Sequence, residues 1–171
     1  MKETVTKLSH IDHILKRHDS YVGPTNSVIE TLWLLGTGSF YQHLASYSPA
    51  LLKIFDEILV NAIDRNSLYP DKVKFINVDI NQEKGIISIE NNGPLGGISV
   101  EQHETENIWN PELTFGHLLT STNYNDNDER VVGGRNGYGS KLTNIYSQAF
   151  QVDIWDDKNN KKYSQKWGGN M

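Results

Sequence analysis

A glycine-rich run constrains the fold of this 171-residue chain more than any other stretch. Residues 133–141 read GGRNGYGSK, with glycine at positions 133, 134, 137 and 139. Because glycine adopts backbone conformations that other residues avoid, successive N–H groups of such a run can converge on an anion. Residues 140–147 predict a helix whose positive dipole end would face the same anion. The run therefore predicts a phosphate-binding loop that opens a helix, and a flexible hinge is the alternative interpretation.

The order of residues in this run excludes the two common nucleotide-binding motifs. Gly134 and Gly139 have the spacing of a P-loop, but Ser140 comes next and Lys141 stands one position late, with leucine after it. A P-loop places the lysine directly after the glycine and a hydroxyl after the lysine. The dinucleotide pattern G-x-G-x-x-G is also absent. A different nucleotide-binding fold is therefore expected.

The best-defined helix begins at Ser48-Pro49, because serine caps free backbone amides and proline is tolerated at the first helical position. An apolar stripe at helical spacing follows, formed by Leu51, Leu52, Phe55, Ile58, Leu59 and Ala62.

A different face of the same helix carries Glu57, Asn61 and Asp64, at positions i, i+4 and i+7. A carboxylate can polarise a water molecule, and an amide oxygen one turn away can bind a hard cation that prefers oxygen ligands. A solvated helix face is the alternative. A purely solvated face would not explain Asn61, because asparagine lowers the stability of a helix interior.

A hairpin is predicted next, since Ile76, Val78 and Ile80 alternate with polar residues and residues 86–89 return the chain. Asn91-Asn92-Gly93 ends the second strand with turn-forming residues. These residues form either a plain turn or a loop that reads an adenine base at the edge of a sheet.

The remaining pattern is that of one domain preceded by a polar arm. Residues 1–24 form the arm, with a short helix over 9–16 and a turn at Gly23-Pro24. Strands are predicted over residues 27–34, 150–155 and 163–167, and a helical patch over residues 113–119. The long polar connection over residues 101–132 has the length of a functional lid.

Composition excludes several other classes of protein. The net charge of −5 argues against a domain that grips a nucleic-acid backbone by itself. No apolar run reaches the roughly 18 residues of a membrane span, so no membrane partner is expected. The chain has no cysteine, which excludes disulfides and thiolate metal sites, and its six histidines have no metal-ligand spacing.

These motifs resemble the N-terminal ATPase region of type IIA DNA topoisomerases of the eukaryotic and large-virus kind. That region belongs to the GHKL superfamily of gyrase, Hsp90, histidine kinases and MutL. The matching stretches occur in the family's order and cover residues 11–23, 49–64, 87–93, 115–124 and 133–147.

The resemblance implies a Bergerat-type GHKL ATPase fold. This is an α/β two-layer sandwich with a mixed, largely antiparallel sheet and helices on one face. It assigns residues 1–24 to an N-terminal arm and residues 25–171 to the ATPase domain. We expect the chain to be a segment of a longer protein that ends before a transducer domain.

The resemblance also assigns roles to site residues. Glu57 would be the general base, Asn61 the direct Mg²⁺ ligand, and Asp64 and Asn91 would lie around the adenine. The full set expected to bind ATP is Asn61, Asp64, Asn91, Ser121, Thr122, Asn123, Gly134, Arg135, Asn136, Gly137, Tyr138, Gly139, Ser140 and Lys141.

Two departures from the family pattern accompany these assignments. The loop over residues 93–100 is longer than usual and has Ser99 where the family has proline. The lysine that reaches the γ-phosphate in the family comes from the transducer domain. We therefore expect this segment alone to bind ATP with little turnover.

The function implied is that of the ATPase segment of a type II topoisomerase. ATP binding would dimerise two copies and close a gate for the passage of duplex DNA, with DNA contacts made by other regions of the protein. The expected location is an intracellular compartment that contains DNA, either a nucleus or a replication site in viral or host cytoplasm. Two alternatives are a MutL-like repair ATPase and a non-catalytic nucleotide-binding interaction module.

Overall fold

A computed structural model of the chain describes residues 4–93, 97–121 and 137–171. The helices are α1 His10–Lys16, α2 Pro49–Leu68, α3 Asn110–Gly116 and α4 Gly139–Tyr146, with a 3₁₀ turn at His18–Ser20. The strands are β1 Val28–Leu35, β2 Phe40–Tyr47, β3 Ile76–Asn81, β4 Ile86–Asn91, β5 Ala149–Asp156 and β6 Lys161–Gly168. The chain divides within α2 into two compact units, Met1–Lys53 and Ile54–Met171.

The first unit contains the predicted short helix. The Ser9 hydroxyl oxygen accepts a hydrogen bond from the Asp12 N–H at 3.1 Å, so α1 begins with a side-chain cap. The helix buries Ile14. Gly23, at the predicted turn, has φ +85°, a left-handed conformation that favours glycine.

The first unit also contains an antiparallel ribbon of β1 and β2, paired from Val28 with Tyr47 to Leu35 with Phe40. The sequence pattern predicts β1 but gave no indication of β2. Both strands leave large apolar side chains exposed, and these are Ile29, Trp33, Leu35, Phe40 and Leu44. This irregular burial is why the period-2 pattern is weak here.

Helix α2 begins where the capping residues predict. The Ser48 hydroxyl accepts a hydrogen bond from the Leu51 N–H at 3.3 Å and donates one to the Thr25 carbonyl at 3.2 Å. Pro49 occupies the first helical position, where its missing N–H has no intrahelical partner to lose.

The second unit contains two antiparallel ribbons. Strands β3 and β4 pair from Ile76 with Asn91 to Asn81 with Ile86, and β5 pairs with β6. All strand pairs within the described residues are antiparallel. The predicted α/β class, with helices and largely antiparallel strands, is confirmed.

The predicted helix over residues 113–119 is wrong in its bounds, because α3 spans Asn110–Gly116. Pro111 lies in the first turn, where proline favours a helix start. Gly116 faces the Trp167 indole so closely that a Cβ there would lie 2.8 Å from Nε1. After it, His117 is extended and Leu119 has φ +61°, so tertiary packing ends the helix three residues early.

The core of the second unit lies around α4. Leu142 and Ile145 of α4 are buried, as are Val73 and Val100. The Phe150 ring packs at a tilt between Phe115 and Trp167, with its centroid 6.0 Å from that of Phe115 and 5.9 Å from that of Trp167. Of the helices in the described ranges, none has both the length and the apolar character needed to cross a membrane.

Candidate functional site

The structure brings Glu57 of α2 against the first residue of α4. A Cβ on Gly139 would overlap the Glu57 carboxylate, with the carboxylate carbon only 3.2 Å away. Glu57 is half-buried at this contact. The carboxylate motif and the glycine run, which are distant in sequence, therefore meet at one point.

The glycines at this point have distinct roles. Gly137 has φ +68°, a conformation that L side chains rarely adopt, and the chain enters α4 two residues later. Gly139 is required by space rather than by φ, because the Glu57 carboxylate occupies the position of a side chain. The first i→i−4 hydrogen bond of the helix runs from the Leu142 N–H to the Tyr138 carbonyl, at 2.9 Å. The backbone N–H groups of residues 139–141 come before this bond, so they have no acceptor within the helix.

Side chains of α4 hold this helix to the end of α3. The Ser140 hydroxyl donates to the Thr114 carbonyl at 3.3 Å, and the Asn144 amide donates to the Phe115 carbonyl at 3.0 Å. Carbonyl groups in the last turn of a helix have no hydrogen-bond donor within the helix. The bonds from Ser140 and Asn144 supply donors to two such carbonyls of α3. Asn144 is only 1% exposed, and its Oδ1 accepts no hydrogen bond from the residues that the structure describes.

Helix α4 is also tied to α2 beside Glu57. The Thr143 hydroxyl donates to the Ile54 carbonyl at 2.7 Å. Ile54 lies about one turn before Glu57 on α2, and Thr143 lies about one turn after Gly139 on α4. The hydrogen bond therefore fixes the two helices next to the contact between Glu57 and Gly139.

Lys141 lies in the first turn of α4, but its ammonium group is directed to the protein. The side chain is 4% exposed, and Nζ donates to the Thr120 carbonyl at 2.8 Å. Burial lowers the pKa of Lys141 from its ordinary value of 10.5 to about 8, because the charged form loses hydration. Thr120 immediately precedes Ser121, which is half-buried.

Asn61 is exposed on α2, one turn after Glu57, and Asp64 is half-buried one turn further on. The structure records no hydrogen bond from the Asn61 amide to any described residue. An exposed amide oxygen is a suitable ligand for a hard cation such as Mg²⁺, whose remaining ligands are commonly water and substrate phosphates. The chemistry of Asn61 therefore fits the expected metal.

The structure separates the roles of the two adjacent asparagines at the end of β4. Asn92 accepts hydrogen bonds from the N–H groups of Lys74 and Phe75, at 2.7 and 3.1 Å, and donates to the Lys72 carbonyl at 3.1 Å. Asn91 is exposed, and among the described residues its side-chain amide donates one long hydrogen bond, to the Asn92 carbonyl at 3.5 Å. Asn92 therefore anchors the loop, and Asn91 can contact a ligand.

Of the predicted site residues, the structure joins Glu57 to Gly139 and places Ser140 and Lys141 in the same helical turn. No recorded contact links Asn91 to them. Five predicted residues lie outside the described ranges, and these are Thr122, Asn123, Gly134, Arg135 and Asn136. Their roles stay predictions.

Sequence reasoning missed the residues that build the site's support, which are Thr120, Thr143 and Asn144. Polar residues at positions 140, 143 and 144 inside a short helix, with Ser147 directly after it, were the available signal, because such residues are disfavoured in helix interiors. Each of the four side chains donates to a backbone carbonyl, including Ser147 to Thr143 at 2.6 Å.

The chain is similar over its whole length to curated topoisomerases. It is 46% identical to DNA topoisomerase 2 of Candida glabrata, over 99% of this chain and 12% of that protein. It is also 46% identical to DNA topoisomerase 2 of Arabidopsis thaliana, over 100% of this chain and 11% of that protein. The chain thus spans only a small part of the length of these relatives.

Two solved structures share the fold. The ATPase region of Saccharomyces cerevisiae topoisomerase II superposes with a TM-score of 0.90 at 44% identity, covering 97% of this chain and 44% of that one. The ATPase and transducer domains of DNA topoisomerase II from Balamuthia mandrillaris give a TM-score of 0.90 at 43% identity, covering 97% and 42%. No protein-family model matches the chain.

Proposed function

The chain belongs to the DNA topoisomerase II family, where it corresponds to part of the ATPase region, and we propose that it binds and helps to hydrolyse ATP. The observation that carries this proposal is the contact between the Glu57 carboxylate and Gly139 at the start of α4. It places a proton acceptor beside a helix end that attracts phosphate.

The phosphates bind at the first turn of α4. The backbone amides there have no intrahelical acceptors, and the helix dipole favours an anion at this end. Tyr138, Gly139 and Ser140 line this turn, and Gly134, Arg135, Asn136 and Gly137 precede it in the sequence. The hydrogen bonds from α4 to α3 and α2 fix the turn before any ligand arrives, which lowers the cost of ordering it.

Glu57 acts as the general base. It takes a proton from the water that attacks the terminal phosphorus, while the bond from that phosphorus to the leaving ADP breaks. Contact with Gly139 holds the carboxylate at the phosphate end of the site. Asn61, exposed one turn away, holds Mg²⁺, which neutralises phosphate charge when bound.

The base end of the nucleotide is read by Asn91 and Asp64. Asn91 is exposed at the end of β4, while its neighbour Asn92 anchors the strand end through three hydrogen bonds. Ser121, Thr122 and Asn123 contact the ribose and phosphates. Lys141 exchanges the Thr120 carbonyl for a phosphate oxygen when the nucleotide binds.

In the whole protein, ATP binding brings two copies of this region together as a homodimer. The arm over residues 1–24 crosses to the partner, and closure of the gate allows one DNA duplex to pass through another. DNA binds to other regions, in keeping with the net charge of −5 here. The protein acts in a compartment that contains DNA, a nucleus or a cytoplasmic replication site. The relatives named above are topoisomerases and do not favour a MutL-like repair ATPase.

The first test is calorimetric titration of the 171-residue chain with a non-hydrolysable ATP analogue, with and without Mg²⁺. We expect binding that depends on Mg²⁺ and weakens in Asn61→Ala. Asn77→Ala removes an exposed amide from β3 and serves as the control with unchanged affinity. A folded wild-type chain that binds no analogue would refute the proposed site.

The second test separates the base from the metal ligand in the intact enzyme. Glu57→Gln should keep ATP affinity and lose turnover by about 10²–10⁴-fold, since a general base acts mainly in the transition state. Asp56→Asn changes the neighbouring, exposed carboxylate of α2 and should leave turnover unchanged. Normal turnover in Glu57→Gln would assign the base to another residue.

A further inference from the structure

The backbone of Val100 is held at both of its polar groups by the end of the β5–β6 ribbon. The Val100 N–H donates to the Asp156 carboxylate at 2.7 Å, and the Val100 carbonyl accepts from Lys161 Nζ at 3.2 Å. Asp156 and Lys161 are partners in the last register pair of the ribbon. Val100 is 3% exposed, so its backbone groups depend on these two side chains. We call the two residues the Val100 clamp.

Both members of the Val100 clamp are themselves held in place. The Asp156 carboxylate also accepts from the Asn159 N–H at 3.1 Å and from the Asn159 amide at 2.8 Å. The hydrogen bond from Val100, followed by those from Asn159, lowers the pKa of Asp156 below its ordinary value, so the carboxylate stays ionised near neutral pH. Lys161 Nζ lies 5.7 Å from the centre of the Trp109 ring.

The residues on either side of Val100 set the start of α3. The amide of Asn110, the first residue of α3, donates to the Ser99 hydroxyl at 3.0 Å, and the Asn110 N–H donates to the Glu101 carbonyl at 2.9 Å. The clamp therefore fixes a three-residue segment, 99–101, to which the first turn of α3 is attached.

The other end of α3 supports the phosphate end of the proposed site. Its carbonyls at Thr114 and Phe115 accept hydrogen bonds from Ser140 and Asn144 of α4. The tip of the β5–β6 ribbon is thus connected to α4 in three steps. The Val100 clamp holds residues 99–101, these residues hold the first turn of α3, and the last turn of α3 holds α4. Asp156 and Lys161 lie at its far end.

The Val100 clamp also holds the last residue of the loop over residues 93–100. Asn92 fixes the start of this loop through its bonds to residues 72, 74 and 75. Val100 fixes its end.

We propose that Asp156 and Lys161 are positioning residues of the nucleotide site, which set its geometry through Val100 and α3 without touching the nucleotide. The inference rests on the proposed function, because it concerns the affinity of that site. It gives a role in nucleotide binding to the tip of the β5–β6 ribbon, which lies outside the sequence motifs of the site.

The test compares Asp156→Ala with two controls by calorimetric titration with a non-hydrolysable ATP analogue. Asp156→Ala should weaken binding about tenfold, because the Val100 N–H loses its charged acceptor. Asp157→Ala removes the adjacent exposed carboxylate and should bind as the wild type does. Asn81→Ala removes the matching cap of the β3–β4 turn, where Asn81 accepts from the Lys84 N–H at 2.9 Å, and should lower stability without weakening binding.

Two further variants keep the test decisive if Asp156→Ala does not fold. Asp156→Asn retains an oxygen acceptor for the Val100 N–H and should recover most of the affinity. Lys161→Met keeps the aliphatic stem, loses the bond to the Val100 carbonyl, and should weaken binding about threefold. Lys162→Met is its control, since the Lys162 ammonium lies 4.9 Å from the Trp155 ring and makes no bond to Val100 in the described structure.

The outcomes separate the two proposals. A wild-type chain that binds no analogue overturns the proposed function and, with it, this inference. A wild-type chain that binds, with Asp156→Ala and Lys161→Met binding equally well, overturns the positioning role alone. Equal losses of affinity in Asn81→Ala and Asp156→Ala would also overturn it, because general destabilisation would then account for the effect.

Discussion

The two ends of the proposed nucleotide site are built in opposite ways. At the phosphate end, Gly139, Ser140 and Lys141 lie in a turn held by bonds to α2, α3 and Thr120. At the base end, Asn91 is exposed at a strand terminus, and its side-chain amide lies 3.5 Å from the Asn92 carbonyl. One end is therefore fixed by part-buried hydrogen bonds, and the other depends on the neighbouring Asn92.

This difference reflects what each end must recognise. Phosphate is bound by backbone amides whose directions must be set in advance, since ordering a loop at the moment of binding costs affinity. A base is read by one or two side-chain groups, for which a single anchored backbone position is sufficient. We therefore expect substitutions at the phosphate end to affect the geometry of the site, and substitutions at the base end to separate stability from binding.

Among the substitutions that compare the two ends of the site, the largest effect is expected for Gly139→Ala. The new Cβ would overlap the Glu57 carboxylate and push either this proposed general base or the first turn of α4 out of place. Small misplacements in such sites can cost on the order of 10²-fold, and we expect a loss of this size in ATP affinity or turnover. Gly168→Ala is the control, because its Cβ would meet only the Gln148 carbonyl at an ordinary 3.5 Å. Similar behaviour of the two variants would show that the contact with Glu57 is unimportant.

The next effect distinguishes Asn92 from Asn91. Asn92→Ala removes three hydrogen bonds and should lower the free energy of unfolding by about 2 kcal/mol, measured by denaturant titration. Asn91→Ala should change that free energy by less than about 0.5 kcal/mol, as expected for an exposed side chain. Asn91→Ala should instead weaken binding of the ATP analogue. If Asn91→Ala lowered stability and Asn92→Ala weakened only nucleotide binding, then Asn91 would be the structural anchor and Asn92 the residue that contacts the base.

The last effect concerns the pH dependence of stability that Lys141 contributes. Its pKa is about 8 in the folded chain against an ordinary 10.5, so between these pH values the unfolded chain binds a proton that the folded chain does not. The free energy of unfolding contributed by this group therefore rises with pH across that window and is constant below it. Lys141→Met should lack this rise and be more stable than the wild type at pH 7.

The control for this prediction is Lys162→Met, which should keep the rise in stability between about pH 8 and 10.5. A wild-type chain whose stability shows the same pH dependence as Lys141→Met would show that the lysine is hydrated in solution. In that case the phosphate end would be less rigid than its hydrogen bonds indicate.

The local pattern of the sequence was sufficient to predict most elements of the fold. The short helix over residues 9–16, the Ser48 cap of α2, the bounds of the β3–β4 hairpin and the start of α4 were each predicted to within a residue or two. These features depend on interactions between residues close in sequence, which the order of residues displays directly. Strand β2 and the bounds of α3 were missed, because exposed apolar residues in one and a contact with Trp167 in the other override local preference.

For the site, the residue types and their spacing were sufficient to identify the carboxylate, the amide and the glycine run as chemistry-bearing groups. Whether Glu57 faces Gly139, whether Asn91 or Asn92 is the anchor, and where the Lys141 ammonium points depend on contacts between residues distant in the chain. Lys141 illustrates the physical reason. Its helical position follows from nearby residues, but its charge is buried against Thr120 because α3 and α4 pack together, and no local pattern encodes that packing.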